Sequence, residues 1–203
     1  KLPQKYLCKI VFPLGNLKKS EAEKYIDKNG LIEDQVGESQ DICFIPHDNY
    51  RQFLEKYQPQ SIGKLQSGKI VNMKGEVLGE HDGFYNFTIG QRKGFHVNTP
   101  GKTYVKSIDP HTNQITVTSN ADLFTKSMII KDCNWVSISE QDVIEGHIKP
   151  RYRGRGAKCR AEKIDDNRYR VKFQEEQRAL TPGQSAVLYQ GEKVIFGGII
   201  TKK

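Results

Sequence analysis

Cys43 stands where a polar run, Gly37 to Asp41, meets a short apolar run, Ile42 to Ile45. Ile42, Phe44 and Ile45 can anchor the segment while Glu38, Ser39 and Asp41 keep its approach in water. A thiol both held and reached in this way suits sulfur chemistry, in which the thiolate is the nucleophile. The same residue also reads as a small buried hydrophobe, since free cysteine is among the most buried residue types. A second group is cationic. Arg151, Arg153 and Arg155 alternate with Tyr152 and Gly154. On a strand, alternate residues share a face, so three guanidiniums would line up as a phosphate track. Lys158 and Arg160 extend it, and Gly154 and Gly156 allow close backbone approach. Tyr152 can stack on a base or fill a barrel. The competing reading is a solvated edge strand charged against aggregation. A third group, Gln91, Arg92 and Lys93 between Gly90 and Gly94, is either a second phosphate contact or a polar turn.

Other chemistries find little support. The five histidines show no metal-ligand spacing, and the four cysteines (Cys8, Cys43, Cys133, Cys159) include no Cys-x-x-Cys pair. No metal site is expected. His81 and Asp82 could form an acid–base pair, but the flanking glycines favour a turn. No phosphate-binding P-loop is present.

Positioning these groups falls to a chain of 203 residues, long enough for one large domain or two small ones. It begins at Lys1 rather than methionine and is expected to be a fragment. No apolar run reaches bilayer length, so no membrane partner is expected. Four scattered cysteines indicate reduced thiols in a cytoplasm. The net charge is +8, and residues 149–172 carry ten basic against three acidic side chains, a local excess of +7. Concentrated basic charge favours an anionic partner, nucleic acid first.

The periodicity divides the chain in three. Residues 1–58 read as helical, with Ser20 and Glu23 as a capping box, Gly30 as a stop, and a second helix capped by Asp48 bearing the stripe Tyr50, Phe53, Leu54, Tyr57. This part is too small for its own core and is expected to dock on something else. Residues 59–122 read as a small β-rich domain: strands 69–72 and 76–78, then 104–108 and 114–118, with a long loop from Gly79 to Gly101 between the hairpins. Residues 123–203 read as short strands at 127–131, 134–139, 146–152, 157–164, 168–173, 185–190 and 193–201, which suggests a small antiparallel β-barrel. The expected fold is therefore mainly β.

Four motifs in order carry a family resemblance: Phe12-Pro-Leu-Gly15, Ser39-Gln-Asp-Ile-Cys-Phe-Ile-Pro46, Gly79-Glu-His-Asp-Gly83 with Thr88-Ile-Gly-Gln-Arg-Lys-Gly94, and Thr181-Pro-Gly-Gln-Ser-Ala-Val187. Together they resemble the tRNA-specific 2-thiouridylases across nearly the whole chain. The resemblance implies an enzyme that uses ATP to adenylate O2 of the wobble uridine, position 34, and delivers sulfur from a cysteine persulfide. Cys43 matches the persulfide-bearing cysteine, which in the family can form a disulfide with a first cysteine in the N-terminal domain. Glu38 stands where the family commonly has Asp. Arg151, Tyr152 and Gln184 match tRNA-contacting positions; from the residues alone, Gln184 is an ordinary turn residue after Pro182-Gly183.

The family's Ser-Gly-Gly-x-Asp-Ser ATP loop is absent from these residues, and Cys8 lies too close to Phe12-Pro-Leu-Gly15 to be the first cysteine. ATP would thus be bound by a missing N-terminal domain. The resemblance implies that this chain alone binds a tRNA anticodon stem-loop without catalysing, and that a sulfur-donor protein is a further partner. Two other readings stay open: a stand-alone RNA-binding β-barrel with a structural Cys43, and an adaptor whose basic hairpin meets an acidic protein.

Overall fold

The computed structural model describes residues 2, 4–31, 44–45, 49–57, 67–152 and 154–201. Cys43, Asp48 and Arg153 lie outside them. The fold is mainly β, with a closed six-stranded antiparallel barrel and a smaller mixed sheet.

Three helices precede the strands: α1 (Gln4–Leu7), α2 (Lys19–Asn29) and α3 (Tyr50–Tyr57). Residues 8–18 are turns and irregular chain, including the turn expected at Pro13-Leu-Gly15; only the rest of this stretch departs from the helical reading. Helix α2 starts earlier than Ser20: the N-cap is Lys18, whose N–H donates to the Glu21 carboxylate at 2.7 Å. Glu21, not Glu23, sits one turn inside this start. At the other end Gly30 takes φ +59°, its N–H donates to Asp27 O and the Leu31 N–H to Ile26 O, a Schellman stop. In α3 the cap expected of Asp48 is supplied by Asn49, whose Oδ1 accepts the Gln52 N–H at 3.2 Å. Phe53 packs between Phe44 and Tyr57, with ring centroids at 5.5 and 4.6 Å. Helices α1 and α2 bury no side chain, and Val11, Phe12, Leu14 and Tyr25 are exposed. Neither core cluster includes a residue before Ile70.

The mixed sheet contains β1 (Gly68–Val71), β2 (Val77–His81), β3 (Tyr104–Asp109) and β4 (Gln114–Thr118), in the order β2-β1-β4-β3. The two expected hairpins are present, joined by parallel pairing of β1 with β4. The segment 79–101 is less of a loop than the sequence suggests. Strand β2 continues to His81, a 3-10 turn follows at Phe84–Asn86, and Phe84, Phe87, Phe95 and Val97 pack on Ile70, Val105, Ile115 and Val117. Phe84, Phe87 and Phe95, aromatics in a Gly-rich stretch, thus belong to the core of this small sheet.

His81 explains the turn. It is 4% exposed; its Nε2 lies 3.2 Å from Asn113 O, and its Nδ1 accepts the Gly83 N–H at 3.1 Å. An accepting Nδ1 leaves the proton on Nε2, which donates to Asn113 O. The ring is therefore a brace for the β2 end, not half of an acid–base pair. Gly68 is required beside it, because a Cβ there would fall 2.1 Å from Asn113 O and 2.6 Å from the ring.

A 3-10 turn at Ala121–Leu123 leads into the barrel, which comprises β5 (Phe124–Trp135), β6 (Val143–Lys149), β7 (Ala157–Asp165), β8 (Arg168–Arg178), β9 (Ser185–Gln190) and β10 (Lys193–Thr201). The strands close in the order β10-β5-β8-β7-β6-β9, every neighbouring pair antiparallel. Strand β8 shows the alternation that builds it: Tyr169, Val171 and Phe173 face the core, Arg168, Arg170 and Lys172 the solvent.

Two expectations fail here. Residues 127–131 and 134–139 are not separate strands; β5 runs through. Asp132 takes φ +52°, and its N–H is held by Asn167 Oδ1 at 2.9 Å, so a local kink is absorbed without ending the pairing. Residues 146–152 are not one strand either. Strand β6 ends at Lys149 because Pro150 has no N–H for the ladder, and a turn follows, with the Gly154 N–H on Arg151 O at 3.2 Å.

Burial lowers the His81 pKa below its ordinary value, the Asn113 carbonyl and Asp82 offsetting it in part. The unfolded chain then takes up a proton near pH 6.5, where the folded imidazole stays neutral. The stability this ring contributes is complete above about pH 6.5 and is lost as pH falls through the lower folded value. Amide-exchange protection factors of Gly83 and the β1–β2 pairs should fall as pH drops below about 6.5, and a His81→Gln variant should lose that dependence.

Candidate nucleic-acid interface

The loop between β6 and β7, residues 150–156, carries the clearest candidates, but not as a strand face. Alternation along one strand is replaced by a turn, so Arg151 and Arg155 do not share a pleat. Arg153 lies outside the described residues. Arg151 reaches across the barrel end, where its Nη2 donates to Ala179 O. Tyr152 is 97% exposed, so it fills no part of the barrel. A large aromatic held open beside guanidiniums can receive an unstacked base. Arg155 is exposed nearby.

The acceptor of that Arg151 bond lies at the centre of the site. Ala179 is buried at φ +52°, a conformation costly for any residue with a Cβ. Its N–H donates to Leu123 O at 2.8 Å, and its carbonyl also accepts the Thr181 hydroxyl at 3.1 Å. The turn that follows is pinned to β10. The Gly183 N–H donates to Ile200 O, the Gln184 N–H to Thr181 O, and the Ile200 N–H to Gln184 O. Both backbone groups of Gln184 are thereby used, and its exposed side chain has no hydrogen-bond partner among the described residues.

The third candidate stretch approaches from the mixed sheet. Gly90 takes φ +86° and Gly94 φ +93°. Gln91, expected as a phosphate contact, is a brace: its Oε1 accepts the Thr88 N–H at 2.9 Å and its Nε2 donates to Lys93 O at 2.7 Å. That bracing presents Arg92 and Lys93 to solvent, and neither has an ion pair among the described residues. The loop is clasped to the barrel by Arg178. Its Nη2 reaches Gly90 O at 3.5 Å, its Nε donates to Asn120 Oδ1 at 2.9 Å, and its guanidinium lies 5.2 Å over the Tyr104 ring. Ala179 thus gathers three stretches far apart in sequence: the Gly90–Lys93 loop, the Arg151 turn and the Thr181–Gln184 turn. Beneath them an apolar cleft of about 550 Å³ separates β3 from the barrel, lined by Ile89, Ile108, Leu123, Met128, Leu180 and Ile200.

Arg178 and Ala179 escaped the sequence reading. Nothing in the pattern Gln177-Arg-Ala-Leu-Thr181 marks an alanine at positive φ; only the unusual Pro182-Gly183 turn just beyond hints at a constrained backbone.

Of the cysteines, Cys159 lies in the barrel core with its thiol pushed up to about 11 by burial, Cys133 is half-buried and Cys8 is exposed; no disulfide joins these three. Among the described residues no group of three or more His, Cys, Asp or Glu could hold a metal ion. No described helix is long and apolar enough to cross a membrane.

A Cβ at Gly90 would lie 2.8 Å from Ala179 Cβ and meet the Arg178 guanidinium at 3.3 Å. Gly90→Ala therefore adds both a steric clash and a strained φ. It should cost about 2–4 kcal/mol in urea unfolding and loosen the loop from the barrel.

Residues 1–47 match the tRNA methyl transferase HUP domain family, residues 51–119 the tRNA methyl transferase PRC-barrel domain family, and residues 125–200 the aminomethyltransferase beta-barrel domain family. The chain is 40% identical over 202 residues to the tRNA-specific 2-thiouridylase MnmA of Chlorobaculum tepidum, covering 99% of this chain and 55% of that protein. Against MnmA of Lachnoclostridium phytofermentans the identity is 39% over 202 residues, with 56% of that protein covered. Against MnmA of Geotalea uraniireducens it is 39% over 199 residues, with 52% covered. The chain spans about half the length of the curated relatives it matches. Three family matches in succession, with relatives near 40% identity along almost all its residues, make this chain a member of the tRNA-specific 2-thiouridylase family.

Proposed function

We propose that this chain is the RNA-gripping part of a sulfurtransferase that makes 2-thiouridine at the wobble position of tRNA. The observation that carries the reading is the convergence at Ala179. Arg151 and Tyr152, the Gln184 turn and the Arg92–Lys93 loop meet at one end of the barrel, as cations and open polar groups around an exposed aromatic. Guanidinium and ammonium groups suit phosphate, Tyr152 suits a base face, and the free Gln184 amide suits a base edge or ribose hydroxyl. The proposed ligand is the anticodon stem-loop, with Arg153 and Arg155 contributing charge from the same loop.

Cys43 is the proposed sulfur carrier. A protein donor would leave a persulfide on it. The terminal sulfur would attack C2 of the activated uridine, and AMP would leave with the former O2. A second cysteine thiol would then break the sulfur–sulfur bond, releasing thiouridine and leaving a disulfide with Cys43. The ATP that activates O2 would be held by residues outside this chain, so this chain alone is expected to bind tRNA without thiolating it.

Tyr152→Ala tests the RNA reading cleanly, because that side chain packs on nothing and its removal leaves folding intact. Binding of a tRNA transcript should weaken by about 1–3 kcal/mol with an unchanged salt slope. Arg151→Ala should instead lower the slope by about one contact. Wild-type binding by both variants would refute the assignment.

For the sulfur step, Cys43 should alkylate faster than Cys133 and Cys159. At pH 8 the Cys159 thiolate should be about 100-fold scarcer than that of an ordinary cysteine. A Cys43 no more reactive than Cys133 and Cys159 would favour an RNA-binding module with a structural Cys43. In a protein that also carries the ATP-binding part, Cys43→Ser should abolish 2-thiouridine in nucleoside mass spectrometry.

A further inference from the structure

The ten basic residues between 149 and 172 are not equivalent once the strands are paired. On the outer wall of the barrel, cross-strand register sets Glu145 opposite Arg160 and Arg160 opposite Lys172; the next row sets Glu162 opposite Arg170. Those rows are an ion-pair lattice. Arg160 bonds Glu162 at 3.0 Å and Glu145 at 3.4 Å, and Lys172 bonds Glu162 at 2.7 Å. The Lys172 and Arg160 hydrogen bonds hold the Glu162 carboxyl below its usual range. Further along, Lys163 pairs with Glu140 and Asp166, and Arg168 with Asp165.

The row nearest the 150–156 loop differs. His147 stands opposite Lys158 on one side and Tyr189 on the other, with no carboxylate in the row. Two residues along β6 on the same face, Lys149 holds its ammonium 5.2 Å over the Tyr189 ring. Lys149 and Lys158 are exposed and have no ion pair among the described residues. A groove of about 540 Å³ opens over this wall, lined by His147, Lys158 and Gln174 and, beyond them, by Glu145, Arg160 and Lys172.

We propose that His147, Lys149 and Lys158 form a phosphate track that carries the RNA backbone from the Arg151–Arg155 loop onto the β6–β7 wall, and that the Glu145–Arg160–Glu162–Lys172 lattice marks where the track ends. The inference rests on the reading of this chain as a tRNA binder. Cations without carboxylate partners exchange condensed counterions for protein contact at full effect. A phosphate reaching Arg160 or Lys172 instead competes with the carboxylates already bonded to them and is repelled by their charge. The direction of the track thus follows from where β6 places Glu145 and β7 places Glu162. Of Lys158 and Arg160, which the sequence offers as an extension of the arginine row, only Lys158 belongs to this track.

The test is a salt titration of tRNA binding with the full chain. Lys158→Ala should weaken binding several-fold at low salt and lower the salt slope by about one contact, and Lys158→Glu should weaken it further. The double variant Glu145→Gln, Arg160→Gln keeps the net charge and should leave the slope unchanged. Equal losses in the Lys158 and double variants would overturn the division of the wall. A Lys158→Ala slope equal to wild type, while Tyr152→Ala still weakens binding, would sink the track and spare the tRNA reading. Wild-type affinity in both would sink the tRNA reading with it. Intact tRNA binding by Lys158→Ala alongside weakened capture of polyglutamate would reassign the surface to an acidic protein and overturn the proposal.

Discussion

A backbone position held at positive φ organises the candidate interface. Ala179 donates its N–H to Leu123 O and its carbonyl accepts from Arg151 and Thr181, while its methyl group faces Gly90. An alanine pays about 1–2 kcal/mol for such a conformation in the absence of contacts. It persists here because hydrogen bonds on both sides of the residue determine its geometry. The arrangement works only with glycine at position 90, since any Cβ there would occupy the space of the Ala179 methyl. Arg178, one residue earlier, points the other way and grips the mixed sheet through Gly90 O, Asn120 and the Tyr104 ring. Two consecutive residues at the end of β8 thus tie the barrel to the mixed sheet and to its own β6–β7 loop.

This tie gives the proposed RNA surface its rigidity without using the side chains that would touch RNA. Tyr152, Gln184, Arg92 and Lys93 remain open, while their backbones or neighbours carry the structural bonds. Arg151 does both jobs, which makes it a less clean reporter of binding than Tyr152. The barrel beneath supplies a firm base. Trp135 stacks on Phe196, Tyr169 packs edge-on to Trp135 and tilted against Phe196, and the Tyr169 hydroxyl donates to Glu140 and Gln141 O.

The part of the chain before the strands behaves differently. Helix α2 closes properly at both ends, as the Lys18–Glu21 start and the Gly30 stop show, yet α1 and α2 bury no side chain. Exposed Val11, Phe12, Leu14 and Tyr25 are local structure without a core.

Period-2 patterning made the two hairpins and the barrel strands legible from the residues alone, because burial on one face of a strand is written locally, as in Tyr169, Val171 and Phe173. The Gly30 stop was legible for the same reason: its geometry is satisfied within a few residues. Strand ends were less so. The Asp132 kink depends on Asn167, thirty-five residues away, and the end of β6 at Pro150 turned an apparent row of arginines into a loop. The sequence by itself determined that positive charge concentrates in residues 149–172 and that a lone thiol sits at a polar–apolar boundary. Only the tertiary structure decided which of those cations stay unpaired and which stretches meet at Ala179, because ion pairing and backbone closure are set by cross-strand register and by contacts between distant segments.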